Sequence, residues 1–228
     1  MPPSKQELYL KELQNFCWEN GFNPEPMRTE RLAYFAQLVA DKNKSVNLVS
    51  RKDVDSIIEN HVFLSAYITQ YIPEKTIKFL DIGTGGGFPG IPIAIMRPDM
   101  RGVLADSTGK KIEAVKDFID KLKLSNVAAE NSRVESPEFI EQHRGTFDLI
   151  VSRGTVPLII LFRYSLPLVK DKAYIMAMKG GKLEEEFKKA EIKYKSYIKK
   201  STIYELYYKP TNIRNKKGKK LVLIELIK

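Results

Sequence analysis

Cysteine is almost missing from this chain: Cys17 is the only one in 228 residues, which excludes an intramolecular disulfide and any metal site built from several cysteines. Its place in an amphipathic stretch points to simple burial, and a reducing, cytoplasmic setting is expected. Long hydrophobic runs are also lacking. None approaches the roughly 18 apolar residues that a membrane span needs, and the polar start Met1-Pro2-Pro3-Ser4-Lys5 does not open a signal peptide. Internal repeats and low-complexity segments are absent. Negative charge is scarce: 38 Lys and Arg against 28 Asp and Glu leave a formal charge of +10 and a pI near 9.4. That excess favours a polyanion such as nucleic acid as partner, although a Lys-rich surface can also serve solubility alone. With 43% hydrophobic and 29% charged residues, the chain is too apolar for disorder, and its length suits one large domain with a small extension.

The opening region has helical spacing. Ser4 and Glu7 stand at capping-box distance, and Tyr9, Leu13, Phe16 and Cys17 follow at three- and four-residue steps until Gly21. A second helix is predicted from near Thr29, with Leu32, Phe35 and Val39 on one face, and a third from near Asp53, with Ile57, His61, Leu64 and Ile68. Residues 1–75 therefore read as an N-terminal helical cap. From Ile77 onward the pattern becomes short apolar runs alternating with helical segments, the signature of a parallel α/β sheet, so 76–228 reads as the main domain. Strands are expected at 77–80, 102–105, 127–129, 147–151 and 173–177, with a helix over 109–123. Two later runs, 203–208 and 221–226, predict an antiparallel hairpin around a long basic loop.

The densest signal follows the first strand. Asp81 is succeeded by Gly83, Gly85 and Gly87, while Gly85, Gly87 and Gly90 also satisfy Gly-x-Gly-x-x-Gly. Glycine accepts positive φ in a tight turn and lets backbone approach a ligand, so both a methyl-donor site and a dinucleotide site can be written onto the loop. The dinucleotide site needs helix N–H groups for a pyrophosphate, and Pro89 and Pro92 remove two of them. The methyl donor has no pyrophosphate; there Asp81 could receive, directly or through water, the ammonium of the amino-acid end. Asp106, ending the second strand, suits the ribose hydroxyls of either cofactor. A nicotinamide-dependent oxidoreductase, and a noncatalytic RNA-binding assembly factor on the same fold, are the alternatives to a methyltransferase.

Asn47-Leu48-Val49-Ser50, His61, the loop from Asp81 to Pro92, Asp106-Ser107-Thr108-Gly109-Lys110-Lys111, Ser132-Arg133-Val134-Glu135, Phe147-Asp148, Ser152-Arg153 and Lys179-Gly180 occur in one order. Together they resemble the small-subunit (16S) ribosomal RNA guanine-N7 methyltransferase family, also called glucose-inhibited division protein B; Gly-Phe-Pro-Gly-Ile-Pro at 87–92 is its most specific stretch. The resemblance implies a class I S-adenosylmethionine-dependent methyltransferase fold: a doubly wound, mainly parallel sheet with an antiparallel C-terminal strand and an N-terminal helical extension. It implies S-adenosyl-L-methionine as cofactor, small-subunit ribosomal RNA or a ribosomal particle as partner, and no membrane. A monomer is expected. Cofactor contacts are expected at Gly83 and Phe88, at Asp106 and Ser107, at Val134 and Glu135, and at Arg153, and the loop residues Asp81 and Gly85 are expected to bind the cofactor as well. Two departures stand out: Leu64 occupies a position where the family usually has an acid, and Gly154 replaces the alanine after Ser-Arg.

Arg153 and Lys179, each ending a predicted strand, are candidates to position RNA; for Arg153 an ion pair with Asp148 or Glu135 is the plain alternative. No residue is assigned as acid or base, and no metal is expected. His61 shares a helical face with Ile57 and Leu64 and reads as a packing residue. The basic residues Lys209, Arg214, Lys216, Lys217, Lys219 and Lys220 could lie along an RNA backbone, or simply solvate a hairpin turn.

Overall fold

A computed structural model describes residues 3–50, 53–181, 183–209 and 219–228. Helix α1 (Lys5–Glu19) begins at the expected capping box: Glu7 N–H donates to Ser4 Oγ and Ser4 N–H to Glu7 Oε2. Helix α2 (Pro26–Lys42) starts three residues before the predicted Thr29, because the fixed φ of Pro26 suits a first helical turn and its missing N–H is no loss there.

The third segment departs from a plain α-helix. A 3-10 turn (Val54–Ser56) leads into a π-helical turn (Ile58–Phe63), then α3 (Leu64–Tyr67) and a second 3-10 turn (Ile68–Tyr71). Periodicity implied one buried face, yet from Ile57 to Ala66 every residue except His61 is buried. The segment is enclosed by protein on all sides, and tertiary contacts reach its backbone: Asn60 O receives the Arg153 guanidinium.

Strands β1 (Lys78–Ile82), β2 (Arg101–Asp106), β3 (Val127–Asn131), β4 (Phe147–Arg153) and β5 (Val169–Gly180) pair in parallel, and β6 (Ile198–Leu206) and β7 (Lys219–Ile227) complete a seven-stranded sheet of order β3-β2-β1-β4-β5-β7-β6. Strand β7 runs antiparallel to both β5 and β6, as the hairpin pattern predicted. Helices α4 (Gly90–Met96), α5 (Gly109–Lys121), α6 (Pro137–His143), α7 (Leu158–Ser165) and α8 (Leu183–Tyr194) cover the two faces. Alternation along the strands sends Phe79, Leu149 and Val151 to one face and Leu80 and Ile150 to the other, so both faces are apolar. The first face shares one continuous core with α1, α2, α4, α5 and the π-helical segment, including Leu13, Phe35 and Phe63. The cap is thus built into the sheet's own core. Among the described residues no helix is long and apolar enough to cross a membrane.

Candidate functional site

Strand β1 carries Asp81 and Ile82 to its C-terminal end, where Gly83 and Thr84 turn and donate their N–H groups to Ala105 O at 2.9 and 3.0 Å. Gly83 has φ +73°, and a Cβ there would lie 2.4 Å from Thr155 Cγ2, so only glycine fits between the loop and the turn after β4. At Gly90 the constraint is close approach: a Cβ would meet Leu104 Cδ2 at 2.2 Å and Asp81 Oδ2 at 2.7 Å. Asp81 itself is fully buried. Its Oδ2 accepts from Thr84 Oγ1 at 2.7 Å and from Gly90 N–H at 2.9 Å, while Oδ1 is sealed without a partner. Burial raises its carboxyl to about 7, with a push from Asp106 and against the lowering by Thr84 and Gly90. Asp81 therefore holds the loop and the first N–H of α4 from behind. That N–H is no longer available to a phosphate, which adds a second reason against a pyrophosphate site.

In front of the loop lies a cleft of about 280 Å³, lined by Ile82, Gly83, Ala105, Asp106, Ser107, Ser132, Arg133, Val134, Glu135, Thr155, Val156 and Tyr164. It opens at the carboxyl ends of β1, β2, β3 and β4, where open α/β sheets bind ligands. Asp106 Oδ2 accepts from Gly85 N–H at 3.0 Å and Oδ1 from Thr108 N–H at 2.9 Å. Both oxygens are oriented by backbone, and each retains acceptor capacity toward the cleft. A larger hollow of about 620 Å³ sits at the opposite, amino ends of β2 and β3, beside Arg101, Gly102, Val127 and Ala128. It lacks the glycine loop and the oriented carboxylate, so the smaller cleft is the candidate site.

On the cap side of the loop the chemistry differs. Phe88 is 6% exposed, and its ring packs on Phe35 and His61 with centroids 4.9 and 5.1 Å away, while the Arg153 guanidinium lies 5.8 Å from its centre. Arg153 Nη2 donates to Asn60 O at 2.8 Å; Nη1 is sealed without a partner. Neither Asp148 nor Glu135 pairs with it, since Lys170 takes the first and Arg133 the second. Burial lowers Arg153 to about 10, opposed by Asp53, Asp81 and Tyr208. Lys219 donates to Asn60 Oδ1 at 3.0 Å and is lowered to about 8 by burial and by Arg153. His61 Nε2 stands 3.9 Å from Asp53 Oδ2, too far for a hydrogen bond, and burial followed by the Arg153 charge lowers its pKa to about 3. His61 is therefore neutral and packed. A second hollow of about 210 Å³, beside Leu64, Arg153, Gly154 and Lys219, opens on this side.

The fold thus brings Gly83, Asp106, Ser107, Val134 and Glu135 to one cleft, with Gly85 bonded to its carboxylate. Asp81 and Phe88, both expected at the cofactor, are instead packed behind the loop, because burial of the acid and of the aromatic ring is what fixes the loop's shape. Arg153 lies on the cap side. Lys179, expected at RNA, has its Nζ bonded to Val156 O and Glu186. Of the basic run, Arg214, Lys216 and Lys217 lie outside the described residues, Lys209 is exposed, and Lys220 pairs with Glu205 at 2.9 Å. Sequence reading missed Thr155, Val156 and Tyr164 in the cleft wall. The first two adjoin Ser152-Arg153 and were within reach; Tyr164 sits inside an apolar helix and carries no signal.

The profile of the family described as GidB, rRNA small subunit methyltransferase G, matches residues 28–213. The chain is 42% identical over 179 residues to a protein of Chlorobium chlorochromatii named ribosomal RNA small subunit methyltransferase G, covering 78% of this chain and 74% of that one. To the protein of the same name from Chlorobaculum tepidum it is 40% identical over 197 residues, covering 85% and 87%. In fold it is similar to an O-methyltransferase from Bacillus cereus solved with SAH (TM-score 0.64, 15% identity, 98% of this chain and 100% of that one). A likeness to M. jannaschii TYW2 solved with AdoMet has TM-score 0.58 at 12% identity, over 81% and 80% of the two chains.

Proposed function

Because the chain belongs to the rRNA small subunit methyltransferase G family, we propose that it transfers a methyl group from S-adenosylmethionine to N7 of a guanine in small-subunit (16S) ribosomal RNA. The observation that carries this reading is the cleft itself. An oriented carboxylate, Asp106, faces an open pocket at the carboxyl ends of the strands, walled by the Gly83 backbone on one side and by Thr155 packed directly against it. The residues fit the cofactor: Asp106 would accept from the ribose hydroxyls, Val134 and Glu135 would flank the adenine, and the Gly83 backbone would meet the amino-acid end. When bound, the cofactor supplies an electrophilic methyl on a sulfonium.

The chain's own task is then positional. Guanine N7 presents an in-plane lone pair and carries no proton, so no general base has to prepare it. The cleft wall needs only to hold donor and acceptor in line at near-attack distance and to exclude water. A guanine inside a helix would have to leave its stack to reach the donor. Cations serve best on phosphates, because a positive group beside a base that becomes positive opposes the reaction. The net charge of +10 supplies that attraction without sequence choice.

Incubating the purified protein and S-adenosylmethionine with 16S RNA and with small-subunit particles from cells lacking the protein tests this directly. Mass mapping is expected to find one guanine methylated at N7. Transfer to none of these substrates, or a methyl group on another atom, would sink the reading.

A further inference from the structure

The turn that follows β4 forms one wall of the cleft, and its conformation is fixed from outside the cleft. Lys179, at the end of β5, sends its Nζ 2.6 Å from Val156 O and 2.7 Å from Glu186 Oε1. The same Glu186 oxygen accepts the N–H of Leu158, the first residue of α7, at 2.6 Å. One carboxylate in the first turn of α8 thus neutralises a lysine and receives an N–H at the N-terminus of a second helix, where negative charge is favoured. The lysine is 12% exposed and the carboxylate 29%, so the pair is shielded from the screening that weakens surface ion pairs.

Thr155 and Val156, two residues of the cleft wall, lie directly before and at the first of these anchors. Ser152 Oγ bonds both Ile82 O and Thr155 Oγ1. The Thr155 methyl occupies the space that a side chain at Gly83 would need. The wall after β4 and the glycine loop after β1 are consequently in direct contact, and a shift of one changes the width of the cleft.

We propose that Lys179 and Glu186 form a latch that positions Thr155 and Val156 against Gly83 and so sets the affinity for the cofactor; Lys179 is a positioning residue and makes no contact with RNA. This rests on the reading that the cleft holds S-adenosylmethionine. Glu186→Gln keeps an acceptor for Leu158 while removing the charge, whereas Glu186→Ala removes both. Lys179→Met releases Val156, and Lys179→Arg keeps a cation of different reach.

The test is calorimetric titration of S-adenosylmethionine into wild type and variants, with KM for the RNA or particle substrate measured alongside and a thermal melt to confirm folding. Glu186→Ala and Lys179→Met are expected to raise the cofactor Kd roughly tenfold or more, since small displacements of a positioning group carry large penalties. Glu186→Gln and Lys179→Arg should fall between these and wild type. The double variant Lys179→Met with Glu186→Gln should be no worse than Lys179→Met alone, because both act on one turn. KM for RNA should stay within about twofold. The latch is overturned if the folded variants bind the cofactor as wild type does, whether RNA KM rises, which would make Lys179 an RNA contact, or stays unchanged. Should Glu186→Ala fail to fold, Glu186→Gln and Lys179→Arg decide alone. A wild-type protein that binds no cofactor would overturn the methyl-donor reading as well, a result distinct from loss of the latch only.

Discussion

The two sides of the glycine loop are built on opposite principles. Toward the cleft, polar atoms are oriented by backbone and left able to accept more: Asp106 takes two N–H groups and still faces open space. Toward the cap, polar atoms are buried and several go unpartnered, among them Asp81 Oδ1, His61 Nε2 and Arg153 Nη1, with Phe35 and Phe88 packed between them. The open side is equipped to bind and the closed side to hold shape. Substitutions should separate accordingly into those that change affinity and those that change stability.

The largest effect is expected on the closed side. Phe35 is fully buried and packs its ring tilted against Phe88 and edge-on against Phe118, so Phe35→Ala should cost about 3–5 kcal/mol in urea unfolding. The cofactor Kd of the folded fraction should change far less than stability does. A variant that unfolds like wild type would break the division at its strongest point.

Asp106→Asn should do the reverse. It keeps one acceptor oxygen for the backbone but removes the charge and half the acceptor capacity facing the cleft. A hydrogen bond to a charged group contributes about 1.5–3 kcal/mol, so cofactor affinity is expected to fall at least tenfold by calorimetry while the thermal midpoint moves by a few degrees at most. Unchanged affinity would remove Asp106 from the binding site.

What the sequence made legible follows the same division. The glycine pattern, the acids after β1 and β2 and the strand alternation are local signals, and they located the loop, the sheet and the open wall. The closed side depends on pairs far apart in the chain: Arg153 with Asn60 and Phe88 with Phe35. No spacing rule connects residues on different elements, so Asp81 is expected at the ligand from its place beside the glycine loop, Phe88 from the family resemblance, and Lys179 at RNA from its place at a strand end. The π-helical turn was hidden for a related reason, because Ile57, His61, Leu64 and Ile68 fit a regular period as well as an enclosed, widened one.

The closed side also yields the most specific effect, a pair of opposed pH dependences. His61 has its pKa lowered to about 3 from 6.5. Around pH 5 the unfolded chain therefore binds a proton there that the folded chain does not, and the contribution of His61 to stability is complete above pH 6.5 and lost as pH falls toward 3. Asp81 has its pKa raised to about 7 from 3.8. There the folded chain holds the extra proton, so the contribution of Asp81 is complete below pH 3.8 and lost as pH rises through 7. Between about pH 4 and 6.5 the two slopes have opposite sign and offset each other. His61→Gln removes the first slope, and stability relative to wild type should then decline with rising pH over that window. Asp81→Asn removes the second, and relative stability should decline with falling pH. Urea midpoints measured at half-unit steps check both; parallel profiles for the two variants would mean that neither group is held in the protonation state its burial imposes.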